Sequence, residues 1–391
     1  MDPVSHLLFA RMVAATRTSH VPRGVVAATV LGGLAPDIDA AVMAVGWDVY
    51  LQWHEVGTHA LVGTPVVALA TGAFVRTWAR AAPLSALVFG AWLGTLSHVF
   101  FDLFSGATIR LLWPVWSAPL SAPVVAMADP IVIAVLIVGA LALWVWPRVP
   151  RTAAALVMAL LALVSAVKLT TRARATAAYG AAVTAAGTAP PESMAVEAEW
   201  GSWTGWLFFD RLPDGQLRAW RVDGWTRDAR LRFAHTAAGD APFARQSLTD
   251  FATARNFVPV HPFAFASARD NGNGGVVFWS DARFCWTPAE RADAQDDVPH
   301  QDVRPARGPL RCALWFGGSY DADGRPHEAL VWLGGHLQRR SPGRWMLEGR
   351  STEDGGPRRE DGGRTEGRGR RAEDGGEREV DRGRGAGGGN L

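Results

Sequence analysis

Five stretches in the first 170 residues are too long and too apolar to be surfaced with water on every face: Val25 to Val45, Ala60 to Val75, Pro83 to Phe104, Pro130 to Trp146 and Ala153 to Leu169. A membrane-spanning helix needs about 20 mostly apolar residues and at least about 17. The segments opening at Pro83, Pro130 and Ala153 meet that length best. Hydrocarbon offers the backbone no hydrogen-bond partners, so such stretches must be helical. With an apolar helix opening at Pro3, the expectation is an α-helical membrane bundle of about five to six helices. Val25 to Val45 is interrupted by Gly32, Gly33, Pro36, Asp37 and Asp39, as in a discontinuous helix that lines a protein-filled site. A soluble helical core is the competing explanation for that segment.

Arginines mark alternate ends of these segments: Arg17 and Arg23, then Arg76 and Arg80, then Arg148 and Arg151. The positive-inside rule makes those ends cytoplasmic. A multi-pass bundle in an inner (plasma) membrane then carries Asp37, Asp39, His54, His59, His98, Asp102 and Asp129 on its non-cytoplasmic side. Lys168, Arg172 and Arg174 follow the last apolar segment and run against this orientation. Met1 to Ala15 includes Asp2, His6 and Arg11 and lacks the layout of a removable signal peptide. The formal net charge is only +2, with no Arg/Lys stripe, so the composition makes no case for nucleic acid as a partner.

The composition changes along the chain and suggests four parts: a membrane domain over 1–175, an Ala/Thr/Gly/Pro linker over 176–194, a Trp-rich, mostly antiparallel β domain over 195–348, and a tail over 349–391. Strands are expected over Trp206 to Asp210, Leu217 to Val222, Val276 to Ser280, Cys312 to Phe316 and Ala329 to Leu333. Pro213-Asp214-Gly215 and Asp321 to Gly324 are turn signals. The tail is nearly all Gly, Arg, Glu and Asp and buries too little apolar surface to offset its ordering entropy, so it should be disordered. Cys285 and Cys312, the only cysteines, either close one disulfide in an oxidising compartment or stay as buried thiols.

Ionisable side chains are costly in a bilayer and mark functional sites by default. His98 and Asp102, four residues apart, share one helix face and are both good ligands for a zinc-like ion; a simple His–Asp hydrogen bond between helices is the alternative. Asp37 and Asp39 follow the helix-breaking Pro36 and could both face one ion, or one could hold the other's imidazole partner, or they could serve as helix caps. His54 and His59 bracket a turn that contains Gly57, with Thr58 available as a hydrogen-bonding support; a surface role suits His54 equally well. His6 by itself reads as a core or solvated histidine.

The pattern Asp2 to His6, Pro36 to Asp39, His54 to His59, Ser97 to Asp102, then Gly106 with Arg110 to Pro114, resembles a family described as LexA-regulated, inner-membrane, metal-dependent hydrolases. Order and spacing hold across roughly the first 130 residues. The family is distantly similar to zinc-dependent phospholipase C. The resemblance implies a divalent metal, expected to be zinc, held by His6, Asp37, His59, His98 and Asp102, with Asp39 and His54 as further ligands or supports. Glu55 and Ala60 depart from the usual Arg and Ser of the family, which puts any anion-binding role at position 55 in doubt.

The expected activity is hydrolysis of a phosphoester, such as a lipid headgroup, at the membrane surface. A clustered divalent ion would lower the pKa of water and polarise the phosphoryl oxygen. Asp39 would orient that water or support a ligand. Arg110 would neutralise phosphate charge, or else simply snorkel to the headgroups. Two rival readings are a metal-binding membrane scaffold without turnover, and an envelope-binding Trp-rich module anchored by the bundle.

Overall fold

The computed structural model describes residues 2–17, 22–236, 243–270, 274–287, 310–333 and 336–341. The expected tail over 349–391 and the end of the β domain near 348 lie outside the described residues.

The first half folds as α1 (Pro3–Thr16), α2 (Arg23–Gly32), a 3-10 segment (Ala35–Ala44), α3 (Trp47–Trp53), α4 (Thr64–Arg76), α5 (Leu84–Phe104), α6 (Pro130–Val145) and α7 (Pro150–Ala185). That exceeds the expected five to six helices because α3 is an extra short helix and the Val25 to Val45 segment is split. Local chemistry sets the helix starts. Asp2 caps α1 by accepting from Ser5 N at 2.8 Å, and Asp129 caps α6 by accepting from Ile131 N at 3.0 Å. A proline follows each cap, where its missing N–H costs nothing.

Among the described residues, two helices are long and apolar enough to cross a membrane, α5 with 21 residues and α7 with 36; α2 and the 3-10 segment, bent by 46°, would together make a third. The Pro130 segment is shorter than expected. Helix α6 has 16 residues and stops at Val145, because Pro147 disfavours helical backbone at Trp146.

α2 and α5 approach closely through small residues. A Cβ on Gly94 would collide with the Thr29 carbonyl, and one on Gly32 with the Ala91 carbonyl. Glycines at such a crossing let two backbones meet without side chains between them.

At about 1.5 Å per residue α7 is about 54 Å long, well beyond a hydrocarbon core of about 30 Å. Its first half exposes Leu156, Leu160 and Leu163, while Ala175, Tyr179 and Val183 pack against Val196, Phe208 and Trp220 of the β domain. Residues 176–185, expected as linker, are therefore the last turns of a helix. Alanine is the strongest helix former, and Tyr179 and Val183 find an apolar sheet to bury against.

The three cations that ran against the charge pattern are all engaged here. Lys168 is fully buried, with Nζ 3.0 Å from Asp129 Oδ2 and 2.6 Å from the Ser202 carbonyl. Arg172 lies over the Trp206 ring and Arg174 over the Trp225 ring. Replacing Lys168 by Met strands the Asp129 carboxylate that caps α6. The expected loss is about 3–5 kcal/mol, read from denaturation in detergent; a loss under about 1 kcal/mol would contradict a buried pair.

The second half is a sandwich of antiparallel sheets. One sheet runs in order β1 (Ser193–Ala198), β2 (Gly205–Arg211), β3 (Gln216–Asp223), β4 (Ala229–Thr236). After α8 (Ala244–Asp250) and α9 (Ala252–Phe257) come β5 (Ala264–Asp270), β6 (Gly275–Asp281), β7 (Cys285–Trp286), β8 (Arg311–Cys312), β9 (Leu314–Tyr320), β10 (Pro326–Leu333) and β11 (His336–Arg340). The second sheet has the order β11-β10-β9-β6-β5, and β7 pairs with β8. Phe209, Leu217, Phe233, Phe265, Phe278 and Leu330 from both inner faces form one core. A disulfide joins Cys285 to Cys312, which decides between the two alternatives for the thiols.

The outer face of the five-stranded sheet is covered by α8, α9 and by Trp47, Tyr50 and Leu51 of α3. The β domain thus docks on the bundle twice, through α7 and through α3, and all described residues belong to one compact unit.

Candidate metal centre

His98 and Asp102 sit one turn apart on buried positions of α5, with His98 Nε2 3.0 Å from Asp102 Oδ2. Asp37 arrives from the 3-10 segment that Pro36 opens. His59 arrives from the connection between α3 and α4. Two backbone bonds pin that connection, Leu61 N to Leu111 O at 2.9 Å and Arg110 N to Glu55 O at 3.3 Å.

Among the described residues, Asp37, His59, His98 and Asp102 form a group whose ligand atoms all lie within 4.8 Å of one another. His59 Nε2 is 3.1 Å from His98 Nε2 and 3.4 Å from Asp102 Oδ2. Asp37 Oδ1 is 3.6 Å from His59 Nε2 and 3.4 Å from His98 Nε2. Four donors sharing a tetrahedral ion at about 2.0–2.1 Å would sit about 3.3–3.4 Å apart, and the five contacts above, at 3.0–3.6 Å, suit one small divalent ion.

Both imidazoles are held with Nε2 available as the donor atom. His98 Nδ1 gives its hydrogen to the Gly33 carbonyl at 2.8 Å, which leaves the Nε2 lone pair facing the cluster. Thr58 Oγ1 donates to Asp39 Oδ2 at 2.6 Å, so its oxygen is free to accept from His59 Nδ1 at 3.0 Å. Burial opposes a charge on His59, but the carboxylates of Asp102, Asp37 and Asp39 outweigh it and lift its pKa to about 11. The walls of the cluster therefore call for positive charge, whether a proton or a cation.

His6 lies beside this group. Its ring stacks on His98 with centroids 3.8 Å apart, and its Nε2 is 3.1 Å from Asp102 Oδ1. Its buried Nδ1 has no hydrogen-bond partner among the described residues. An unpaired buried nitrogen is costly, and a cation or water beside the ring would offset that cost.

Asp39 and His54 stand outside the four-residue group. Asp39 Oδ1 is 2.7 Å from His54 Nδ1, and its Oδ2 accepts from Thr58 Oγ1 and from Glu55 N. Asp39 therefore organises the connection around His59. His54 stacks on Tyr50 at 4.5 Å. Arg110 is half-buried and forms no ion pair among the described residues; it lines a cavity of about 470 Å³ together with His54, Glu55 and Tyr50.

The far wall of that cavity is made by Glu197, His261, Arg283 and Phe284 of the β domain. Sequence reasoning missed these residues, because nothing in their local pattern ties them to positions more than 80 residues earlier. The Gly33 carbonyl was equally invisible, since backbone acceptors carry no residue signature. Of the four clustered side chains, Asp37 is 26% exposed and the others at most 1%, so solvent reaches the group from the Asp37 side.

Residues 1–175 match the family model described as YdjM inner membrane protein. The match takes in every clustered residue and leaves the β domain outside it. No curated protein and no solved structure matches the chain.

Proposed function

We propose that this protein is a membrane-bound, zinc-dependent hydrolase of a phosphoester presented at the bilayer surface. The observation that carries the reading is the convergence of Asp37, His59, His98 and Asp102, from three separate parts of the bundle, at one end of it. A divalent ion bound there supplies Lewis acidity and lowers the pKa of water.

The chain's own residues have separable parts in this scheme. His59, His98 and Asp102 are buried donors, and Asp37 faces the opening. Both Asp39 oxygens are committed to neighbours, so Asp39 is a positioning residue that fixes the tautomer of His59 through Thr58. In this reading the guanidinium of Arg110, in the cavity that His54 and Glu55 also line, takes a phosphoryl oxygen.

A lipid substrate is supported by an apolar groove of about 160 Å³ lined by Phe9, Phe100, Phe104, Val132, Met158 and Leu161. Phe101 also lines it, and its ring meets that of His6 edge-on at 5.8 Å. An acyl chain in this groove would bring its headgroup towards the site. The envelope-binding alternative is weakened by the tryptophans, since Trp206, Trp220, Trp279, Trp315 and Trp332 are core. The exposed Trp200, on the β1–β2 loop, donates to the Ala128 carbonyl beside the start of α6, and Trp225 lies under Arg174 of α7; such positions suit interfacial anchors.

We place the site and the β domain on the non-cytoplasmic side. Arg17, Arg76, Arg80 and Arg148 lie at the opposite end of the bundle, near exposed Trp78, Trp144 and Trp146. The disulfide also suits an oxidising compartment. A phosphatase reporter fused after Leu347 should be active outside the cytoplasm; a reporter active only inside would reverse the orientation and leave the chemistry intact.

The test of the activity is turnover of a soluble phosphodiester and of short-chain phospholipid by detergent-purified protein. Turnover should stop on chelation and return with zinc. Asp39→Asn should weaken zinc binding by about 10–100-fold, as loss of a support to a ligand does. A protein that binds zinc stoichiometrically yet turns over neither substrate would be a metal-binding scaffold instead.

A further inference from the structure

The 470 Å³ cavity is built jointly by the two halves of the chain, and its charged walls are unbalanced. The bundle contributes Glu55 and Arg110; the β domain contributes Glu197 and Arg283. Arg283 is largely spent elsewhere. Its Nε and Nη2 donate to the two Asp281 oxygens at 2.9 and 3.0 Å, and its Nη1 only approaches Glu197 Oε1, at 3.6 Å. The Glu55 carboxylate accepts no hydrogen bond among the described residues, and His54 Nε2 stands 3.9 Å away.

The cavity therefore presents two under-neutralised carboxylates and one uncommitted guanidinium, Arg110. Tyr50, Phe257 and Phe284 add aromatic surface to the same walls. Carboxylates beside aromatic rings are the chemistry that receives an ammonium group, and a guanidinium is the chemistry that receives a phosphate. Burial also pushes the Glu197 carboxyl up, with Arg283 offsetting this only in part, so a bound cation would favour its charged form.

We propose that this cavity selects a phosphoester bearing a primary ammonium group, an aminoalkyl phosphate, with Arg110 on the phosphate and Glu55 and Glu197 on the ammonium. The proposal rests on the phosphoesterase reading and names a substrate class for it; the cavity adjoins the cluster through His54 and Glu55, both bonded to Asp39, which holds Thr58 beside His59. It also gives the β domain a function, since Glu197 lies on β1, outside the stretch that matches the inner-membrane family.

The same chemistry occurs in a lipid headgroup and in a free aminoalkyl phosphate, so the experiment has two arms, both on the full chain in detergent. Calorimetry compares O-phosphoethanolamine with glycerol 3-phosphate, and short-chain phosphatidylethanolamine with short-chain phosphatidylglycerol. The amine-bearing ligand should bind about tenfold or more tightly, the worth of one charge-assisted contact. A preference in both pairs supports the shared chemistry. One confined to the lipid pair assigns a lipid headgroup, and one confined to the soluble pair a free phosphate ester.

Glu197→Gln, checked for an unchanged melting curve, should erase most of the preference. Equal affinities within both pairs would overturn the proposal on the wild-type protein alone, as would a preference that survives in both Glu197→Gln and Glu55→Gln. Because binding is read without turnover, zinc-dependent hydrolysis without amine preference would sink this inference alone, and amine preference without hydrolysis would sink only the enzymatic reading.

Discussion

His98→Ala and Asp102→Ala, each made in the full-length protein, should purify with their divalent ion lost and with zinc affinity lowered by well over the about 10–100-fold that removal of a supporting group costs. His98 contributes one of two Nε2 atoms that stand 3.1 Å apart, and Asp102 touches His6, His59 and His98 at 3.1, 3.4 and 3.0 Å. No neighbouring side chain on α5 can swing into either place, because both positions are buried within the bundle. His98→Ala also leaves the Gly33 carbonyl without its donor, adding about 1–3 kcal/mol of instability. His54→Ala is the internal comparison. His54 lies outside the ligand group and holds Asp39, so that variant should keep its ion with weakened affinity. Metal per chain, measured after equilibration against a graded chelator, gives the order. Unchanged metal content in both His98→Ala and Asp102→Ala would remove the metal centre from consideration.

Gly94→Val should be the most damaging single change outside the ligands themselves. Its Cβ would drive into the Thr29 carbonyl of α2, and backbone cannot step aside as a flexible side chain can. We expect a loss of about 3 kcal/mol or more, at the upper end of overpacking costs. The consequence for the site is direct. His98 lies one turn after Gly94 and reaches across to Gly33, so prising α2 from α5 breaks the bond that sets the His98 tautomer. Gly180→Ala provides the contrast. An added Cβ there meets nothing within 4 Å, and α7 should gain about 0.5–1 kcal/mol from the better helix former. Thermal melts in detergent with zinc release followed in parallel would test both. A Gly94→Val protein that melts and binds zinc as the wild type does would show that the α2–α5 crossing does not position the site.

The helices of the first half were legible because hydropathy, proline and cap residues act locally. Asp2 before Pro3 and Asp129 before Pro130 announce their helices without any knowledge of the neighbours. The strands split along a similar line. β2, β3, β6 and β10 are rich in aromatic and β-branched residues and declare themselves. The run Cys312 to Phe316 straddles β8 and β9. β5, largely Ala and Ser before Arg269 and Asp270, becomes a strand only because β6 offers it a ladder. The last ten residues of α7 read as linker from sequence alone for the related reason that their partner, the outer face of the four-stranded sheet, is formed by residues that come later in the chain.

Residue types and spacing determined which side chains could carry chemistry, since charge inside an apolar stretch is expensive whatever the fold. Asp37, Asp39, His54, His59, His98 and Asp102 stand out on that ground, while His6 joins them only through the family resemblance. Which of them share one point, and which only support it, was a matter of tertiary structure. Asp39 and His54 have the same ligand chemistry as Asp37 and His59, and only the path of the 3-10 segment and the α3–α4 connection turns one pair inward and pairs the other with itself. The mixed cavity shared with Glu197 and Arg283 was likewise set by docking. Local sequence encodes dihedral preference and hydropathy, whereas donor geometry depends on distances between segments that only packing brings together.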